Sequence, residues 1–209
     1  MGQHFLGLVQ GPPGTGKTTV LIECIHQFLA VNPCSRVLVS AGTNTAVDVL
    51  FRRFRRDFES CLRIGHPSRV AHDLHDGLLY PATATRAVVN KVLATRVVFA
   101  TLSSCMSDLF APSAGQTFDV IVIDEAEQSC EYMHWGALNF GGQLWLAGDH
   151  LQLPPVVLSR SYQTELSVSL LERMVTAGHP FIMLKIQHRD VYRIKRLSRL
   201  AVTMLPMWN

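Results

Sequence analysis

Gly11, Gly14, Gly16, Lys17 and Thr18 are residue types, at spacings, suited to holding a multiply charged anion. Gly11, Gly16, Lys17 and Thr18 fit the pattern G-x-x-x-x-G-K-[ST]. With no side chains at 11, 14 and 16, backbone N–H groups can turn inward on a chain of phosphates, and a following helix adds the positive end of its dipole. Lys17 supplies a cation for the terminal phosphates, and Thr18 a hydroxyl for a hard divalent cation. Pro12, Pro13, Thr15 and Thr19 complete the loop. The expected ligand is a nucleoside triphosphate with Mg²⁺.

A phosphate loop alone does not define a reaction. A second group does more: an apolar β-branched run closes in Asp124 and Glu125. Asp124 is suited to hold the metal together with Thr18, and Glu125 to orient or deprotonate an attacking water. Gln152, in a loop after the next strand-like run, is a neutral donor suited to sensing a γ-phosphate.

These residues need strands and helices to bring them together. Residues 5–10 read as a buried strand ending in the glycine loop, and residues 17–30 as a helix stopped by Asn32 and Pro33. A strand at 36–40 runs into the polar stretch 41–48. Further strands are expected at 96–101, 119–124, 143–147 and 181–186, with helices at 47–58, 85–93 and 165–176, and a loop at 112–116. Strands separated by helices at this spacing predict an α/β fold, a parallel sheet in a three-layer α/β/α sandwich, with ligands at the carboxyl ends of the strands. Residues 60–96 read as an insertion. On the helix at 47–58, Arg52, Arg53, Arg55 and Arg56 oppose an apolar stripe, which suits either a solvated surface or contact with nucleic-acid phosphates.

Composition bounds the rest. In 209 residues, 48% hydrophobic and 17% charged, there is room for one folded domain with a sizeable core but not two of ordinary size. The net charge of +3 permits a polyanionic partner without demanding one. No run of 18 apolar residues suggests a membrane span, and no signal peptide is evident. The five cysteines are odd in number and widely spaced, which predicts reduced thiols filling core space in the cytoplasm or nucleus. His72, Asp73, His75 and Asp76 could in principle bind metal, but a solvated segment is the expectation.

The stretches 11–19, 124–128 and 148–155 together resemble motifs I, II and III of superfamily 1 helicases. Within these they are similar to the Upf-like branch, which holds the nonsense-mediated-decay helicase and the immunoglobulin mu-binding-type helicases. Residues 43–48 resemble that branch's motif Ia and residues 100–104 its motif Ic, while 62–69 is similar to a segment of the mu-binding-type members. The resemblance covers residues 5–189. It implies a RecA-like P-loop NTPase domain at 1–189, ATP hydrolysis, and movement on single-stranded RNA or DNA. It assigns the strand's phosphates to Thr43, Asn44 and Thr101, and makes Lys17, Asp124, Glu125 and Gln152 the catalytic set. Gln187-His188-Arg189 looks like the start of motif IV, which would make Arg189 an arginine finger.

After Arg189 the sequence departs from the family. Where a second RecA-like domain with motifs V and VI is expected, residues 190–209 have instead the spacing of a basic amphipathic helix, suited to docking on the core or on a partner. The adenine-reading glutamine segment upstream of motif I is not seen either, and Met1 stands almost directly before a core strand. These features suggest a fragment of a motor with little or no unwinding alone. A non-catalytic nucleic-acid-binding module that keeps a nucleotide pocket is the alternative. A P-loop ATPase of another class does not account for 43–48 or 152–155, and a small-molecule kinase would need a lid and an acceptor pocket, for which no residues are found.

Overall fold

The computed structural model describes residues 6–80, 85–107, 117–157 and 166–188. In chain order the elements are β1 (Leu6–Gln10), α1 (Lys17–Val31), β2 (Val37–Ala41), α2 (Asn44–Phe54), β3 (Cys61–Ile64), β4 (Leu78–Leu79), α3 (Arg86–Ala94) and β5 (Val97–Thr101). They continue with α4 (Leu102–Cys105), β6 (Val120–Asp124), α5 (Glu131–Leu138), β7 (Gln143–Gly148), α6 (Leu170–Thr176) and β8 (Ile182–Met183). The eight strands form one sheet in the order β4-β3-β5-β2-β6-β7-β1-β8, and every strand pair is parallel.

The strand sequences dictate two cores. In β2, β5 and β6 every residue is buried, so both faces are largely apolar and the strands open as Val-Leu-Val, Val-Val-Phe-Ala and Val-Ile-Val-Ile, with Ser40, Thr101 and Asp124 toward their carboxyl ends. Val37, Val39, Val97, Phe99, Val120 and Val122 face one way and pack under α1 and α2; Leu38, Val98, Ile121 and Ile123 face the other, under α3, α4, α5 and α6. Helices on both faces make the three-layer sandwich. Phe51, Phe54 and Phe99 lock α2 to the sheet, with ring centroids at 5.3 and 5.5 Å, each tilted pair contributing about 1 kcal/mol beyond its burial.

Residues 60–96, expected to be an insertion, carry two strands of this same sheet: β3 pairs with β5 and β4 with β3. Only Cys105 and Cys130 of the five cysteines are buried, whereas Cys24 and Cys34 are exposed, which corrects the expectation that the thiols fill the core. Arg52 pairs with Asp73 at 2.7 Å and Arg55 with Asp76, so the arginine face of α2 is partly engaged locally. The carboxylates of the His-Asp stretch are thereby occupied, and Arg55 holds the Asp76 carboxyl down to about 2. Among the described residues no helix is long and apolar enough to cross a membrane. The expected loop at 112–116, Arg189 and the stretch 190–209 lie outside the described residues.

Candidate functional site

Parallel pairing places the carboxyl ends of the central strands side by side. Gln10 lies opposite Gly148, and Ala41 is flanked by Thr101 on one side and Asp124 on the other. The motif residues follow directly from these ends.

The glycine loop leaves β1 with Gly11 N–H donating to Gly148 O at 3.2 Å. It turns through Gly14 and Gly16 at φ 81° and 86°, a left-handed conformation that a residue with a Cβ adopts only at a cost. Thr15 Oγ1 donates to Pro12 O at 2.8 Å and closes the turn. Gly16 is the N-cap of α1, so no side chain caps that helix, and its first turn holds no acid. The other helices differ: Thr43, Thr85, Thr101 and Ser169 cap α2, α3, α4 and α6, and α5 has Glu131 in its first turn. Among the described α-helices, α1 alone presents a first turn with neither side-chain cap nor acid, an arrangement suited to an anion. Lys17 Nζ donates to Gly11 O at 2.5 Å, folded over the loop mouth.

Thr18 Oγ1 donates to Asp124 Oδ2 at 2.9 Å, joining the first turn of α1 to the end of β6. Asp124 is 3% exposed, and burial raises its carboxyl above the usual range, opposed by the Thr18 hydroxyl and the Glu125 N–H. Burial and the Asp124 charge also raise Glu125. Glu125 is the one non-glycine residue at positive φ among the described residues, at 52°, a strain of about 1–2 kcal/mol held by the buried residues on either side. A hydroxyl and a carboxylate side by side, beside a lysine and an uncapped helix, fit a divalent cation bound with phosphate. A cavity of about 240 Å³ opens here, lined by Thr18, by Thr43, Thr45, Ala46 and Val49, and by Asp124, Glu125 and Gln128.

A second cavity, of about 560 Å³, is lined by Gly42, Thr43, Asn44, Thr101, Ser103 and Ser104, and, from the turn after β3, by Gly65, His66 and Arg69. Thr43 lines both cavities. Its Oγ1 accepts from Ala46 N–H, which leaves its own proton to donate. Thr101 is 6% exposed, and its hydroxyl caps α4 while bonding Ser104 Oγ at 2.8 Å. Asn44 Oδ1 accepts from Arg63 Nη2 at 2.9 Å, so its NH₂ is the end left to donate.

Gln152 stands apart from the first cavity's lining, and its Nε2 donates to Asp149 Oδ2 at 3.0 Å. Arg189 is outside the described residues, but the two residues before it touch the glycine loop: Gln187 Nε2 donates to Pro13 O at 3.0 Å and His188 N–H to Gly14 O at 2.9 Å.

Three residues were not assigned roles from sequence. Arg53 Nη1 donates to Thr19 Oγ1 at 3.3 Å, beside the loop. Arg63 is fully buried on Asp48. Glu127, 3% exposed, is pushed up to about 7 by burial, with Oε2 unpartnered among the described residues. A Cβ at Gly148 would stand 2.1 Å from that Oε2, so glycine alone lets the strand pass. Arg53 was visible only as one member of a basic helix face, and Glu127 only as one acid in an acidic turn.

A family described as an AAA domain matches residues 1–81 and 78–160. The DNA polymerase alpha-associated DNA helicase A of Schizosaccharomyces pombe is 31% identical, across 88% of this chain and 34% of that protein. DNA-binding protein SMUBP-2 of Mus musculus is 31% identical, across 90% and 24%. The DNA replication ATP-dependent helicase/nuclease DNA2 of Saccharomyces cerevisiae is 34% identical, across 72% and 10%. The chain therefore spans between 10% and 34% of the length of these relatives. Among solved structures, the Pyrococcus furiosus Hef helicase domain superposes with a TM-score of 0.55 at 16% identity, across 87% of this chain and 35% of that one, a likeness of fold.

Proposed function

Since the chain belongs to the AAA domain family, as a RecA-like domain of the Upf-like superfamily 1 helicases, we propose that it binds Mg-ATP at the glycine loop and couples that site to a single strand of RNA or DNA. The observation that carries this reading is the meeting of the uncapped α1, Lys17 and the Thr18–Asp124 pair at the mouth of one loop.

The residues divide the work by their chemistry. Gly11, Gly14 and Gly16, with Pro12, Pro13, Thr15 and Thr19 in the same turn, let the backbone close on the phosphates, and Lys17 exchanges Gly11 O for phosphate oxygen. Thr18 and Asp124 would hold Mg²⁺, which supplies charge neutralisation of the phosphates when bound. Glu125, next to Asp124 and disfavoured as an anion by burial, would accept a proton from water. Gln152 can reach a γ-phosphate only by giving up its bond to Asp149. Thr43, Asn44 and Thr101 line the cavity assigned to the strand, and Thr43 touches both sites, a direct route for coupling.

The arginine charge that stabilises transferring phosphoryl groups is assigned by the family resemblance to Arg189 and a second RecA-like domain. Removing such a charge costs about 10³–10⁵ in rate, so Arg189→Ala is expected to leave ATP binding intact and slow its turnover. Work on nucleic acid sets it in the nucleus or cytoplasm.

The test is a pair of titrations: calorimetry with ATP and Mg²⁺, and anisotropy with labelled single strands over a salt series. A few phosphate contacts predict a modest negative slope of log affinity on log salt. Absence of strand binding at low salt rejects the coupling, and absence of ATP binding rejects the whole reading.

A further inference from the structure

The second cavity has two walls of different origin. Thr43, Asn44, Thr101 and Ser104 make the first. The other is a turn after β3, where Gly65, His66 and Arg69 face the same space, and that turn has features a solvated connection does not need.

The turn is held from beneath. Arg63, 0% exposed, donates from Nε to Asp48 Oδ1 at 2.8 Å, and Asp48 Oδ2 accepts from Ala71 N–H at 2.9 Å. The same guanidinium reaches Asn44 on the first wall. One buried ion pair therefore fixes both walls relative to each other.

Its exposed groups are chemically selective. Arg69 is exposed, and its guanidinium has no hydrogen-bond or ionic partner among the described residues, whereas Arg52, Arg55 and Arg63 are each matched to an aspartate. His66 accepts the Ser68 N–H at Nδ1, which leaves the proton of a neutral ring on Nε2. Tyr80 packs edge-on against that ring, with centroids 4.6 Å apart, and is itself 47% exposed. Among the described residues no carboxylate lines the cavity. A supported aromatic ring beside a free cation, facing neutral hydrogen-bonding groups, suits a nucleobase and its phosphate better than an acidic or apolar partner.

We propose that the turn carrying His66 and Arg69 is the second wall of the strand groove: His66, backed by Tyr80, stacks on a base, and Arg69 pairs with an adjacent phosphate. This rests on the single-strand reading above.

The experiment uses the 209-residue chain and a fluorescein-labelled oligothymidylate titrated over a salt series, with His66→Ala and Arg69→Ala, both at exposed positions. For Arg69→Ala the slope of log affinity on log salt becomes less negative by about 0.7, one phosphate on a single strand. For His66→Ala the slope is unchanged, and affinity falls about fivefold or more, the loss of one base–aromatic stack. An oligonucleotide with 2-aminopurine walked along its length gives an independent signature. Binding quenches it at one register in the unsubstituted chain, and His66→Ala removes that quench. If the unsubstituted chain binds and both variants match it in affinity and slope, this inference falls alone. If His66→Ala changes nothing while Arg69→Ala flattens the slope, the site is a phosphate contact and the stacking assignment is overturned. If the unsubstituted chain binds no strand, the single-strand reading falls first and this wall with it.

Discussion

Thr18 Oγ1 donates to Asp124 Oδ2 at 2.9 Å, and this bond joins two elements 106 residues apart in sequence. It also keeps a carboxyl group ready that burial disfavours as an anion. Asp124→Asn keeps an acceptor for the Glu125 N–H, and its amide can donate to Thr18 Oγ1, whose own proton turns to the half-exposed side, so the substitution removes a buried charge while both contacts persist. The variant should therefore fold with equal or higher stability, by up to about 1 kcal/mol, while ATP affinity loses its dependence on Mg²⁺. Thermal melts with calorimetry in the presence and absence of Mg²⁺ check both halves. A variant that still gains affinity from Mg²⁺ would remove Asp124 from the metal site.

Among the described residues Lys17 is bonded only to loop carbonyls, Gly11 O and, at 3.5 Å, Pro12 O, and to no carboxylate. Lys17→Ala should leave the fold intact and weaken ATP binding about tenfold to hundredfold, the range of a charge-assisted hydrogen bond. Unchanged affinity by calorimetry would show that the phosphates lie elsewhere.

For Glu125 the contrast is between binding and turnover. Glu125→Gln keeps the shape of the strained turn and loses the basic oxygen, so ATP affinity should stay within about twofold while any hydrolysis falls by about 10² or more. An unaltered single-turnover rate would exclude Glu125 as the base.

The ion pair beneath the second cavity carries the largest stability effect. Arg63 and Asp48 are 0% and 5% exposed, and removing either partner strands a buried charge, at about 3–5 kcal/mol. Asp48→Ala should show this as a lower urea midpoint with little change in slope. Arg63→Met with Asp48→Leu should recover a large part of the loss, and a double variant as unstable as the singles would mean that the hydrogen bonds to Asn44 and Ala71, not the charge pair, carry the site.

The alternation of strands and helices was legible because the central strands are buried on both faces, which forces unbroken runs such as Val120 to Asp124. The glycine loop was legible because its backbone admits few alternatives at Gly14 and Gly16. β3 was not, since Arg63 in the middle of four residues argues against burial unless its partners Asp48 and Asn44, on a different element, are known. α5 was hidden for a related reason: Tyr132 and Trp135 face solvent while His134 is buried, so no apolar stripe marks the helix. Gln152 shows the limit at the site itself. Its type suits phosphate sensing, but the fold gives its amide to Asp149, a competition that sequence spacing does not display.

Glu127 gives a prediction with a definite sign. Its carboxyl is raised from an ordinary 4.5 to about 7, chiefly by burial and against the backbone N–H groups of Glu127 and Asp149. Below 4.5 the group is protonated whether the chain is folded or not. Between 4.5 and about 7 the folded state keeps the proton that the unfolded state has released, so folding stability falls as pH rises, and above about 7 the loss is complete. The size is on the order of 3 kcal/mol across that window. Glu127→Gln does not titrate, so the difference in unfolding free energy between the two proteins should move in favour of the variant by that amount from pH 4.5 to 7.5. Urea unfolding of nucleotide-free protein at each pH measures it directly. Parallel pH curves for the two proteins would mean that Glu127 has a solvated anion in the folded state, and that the turn between β6 and α5 opens to water.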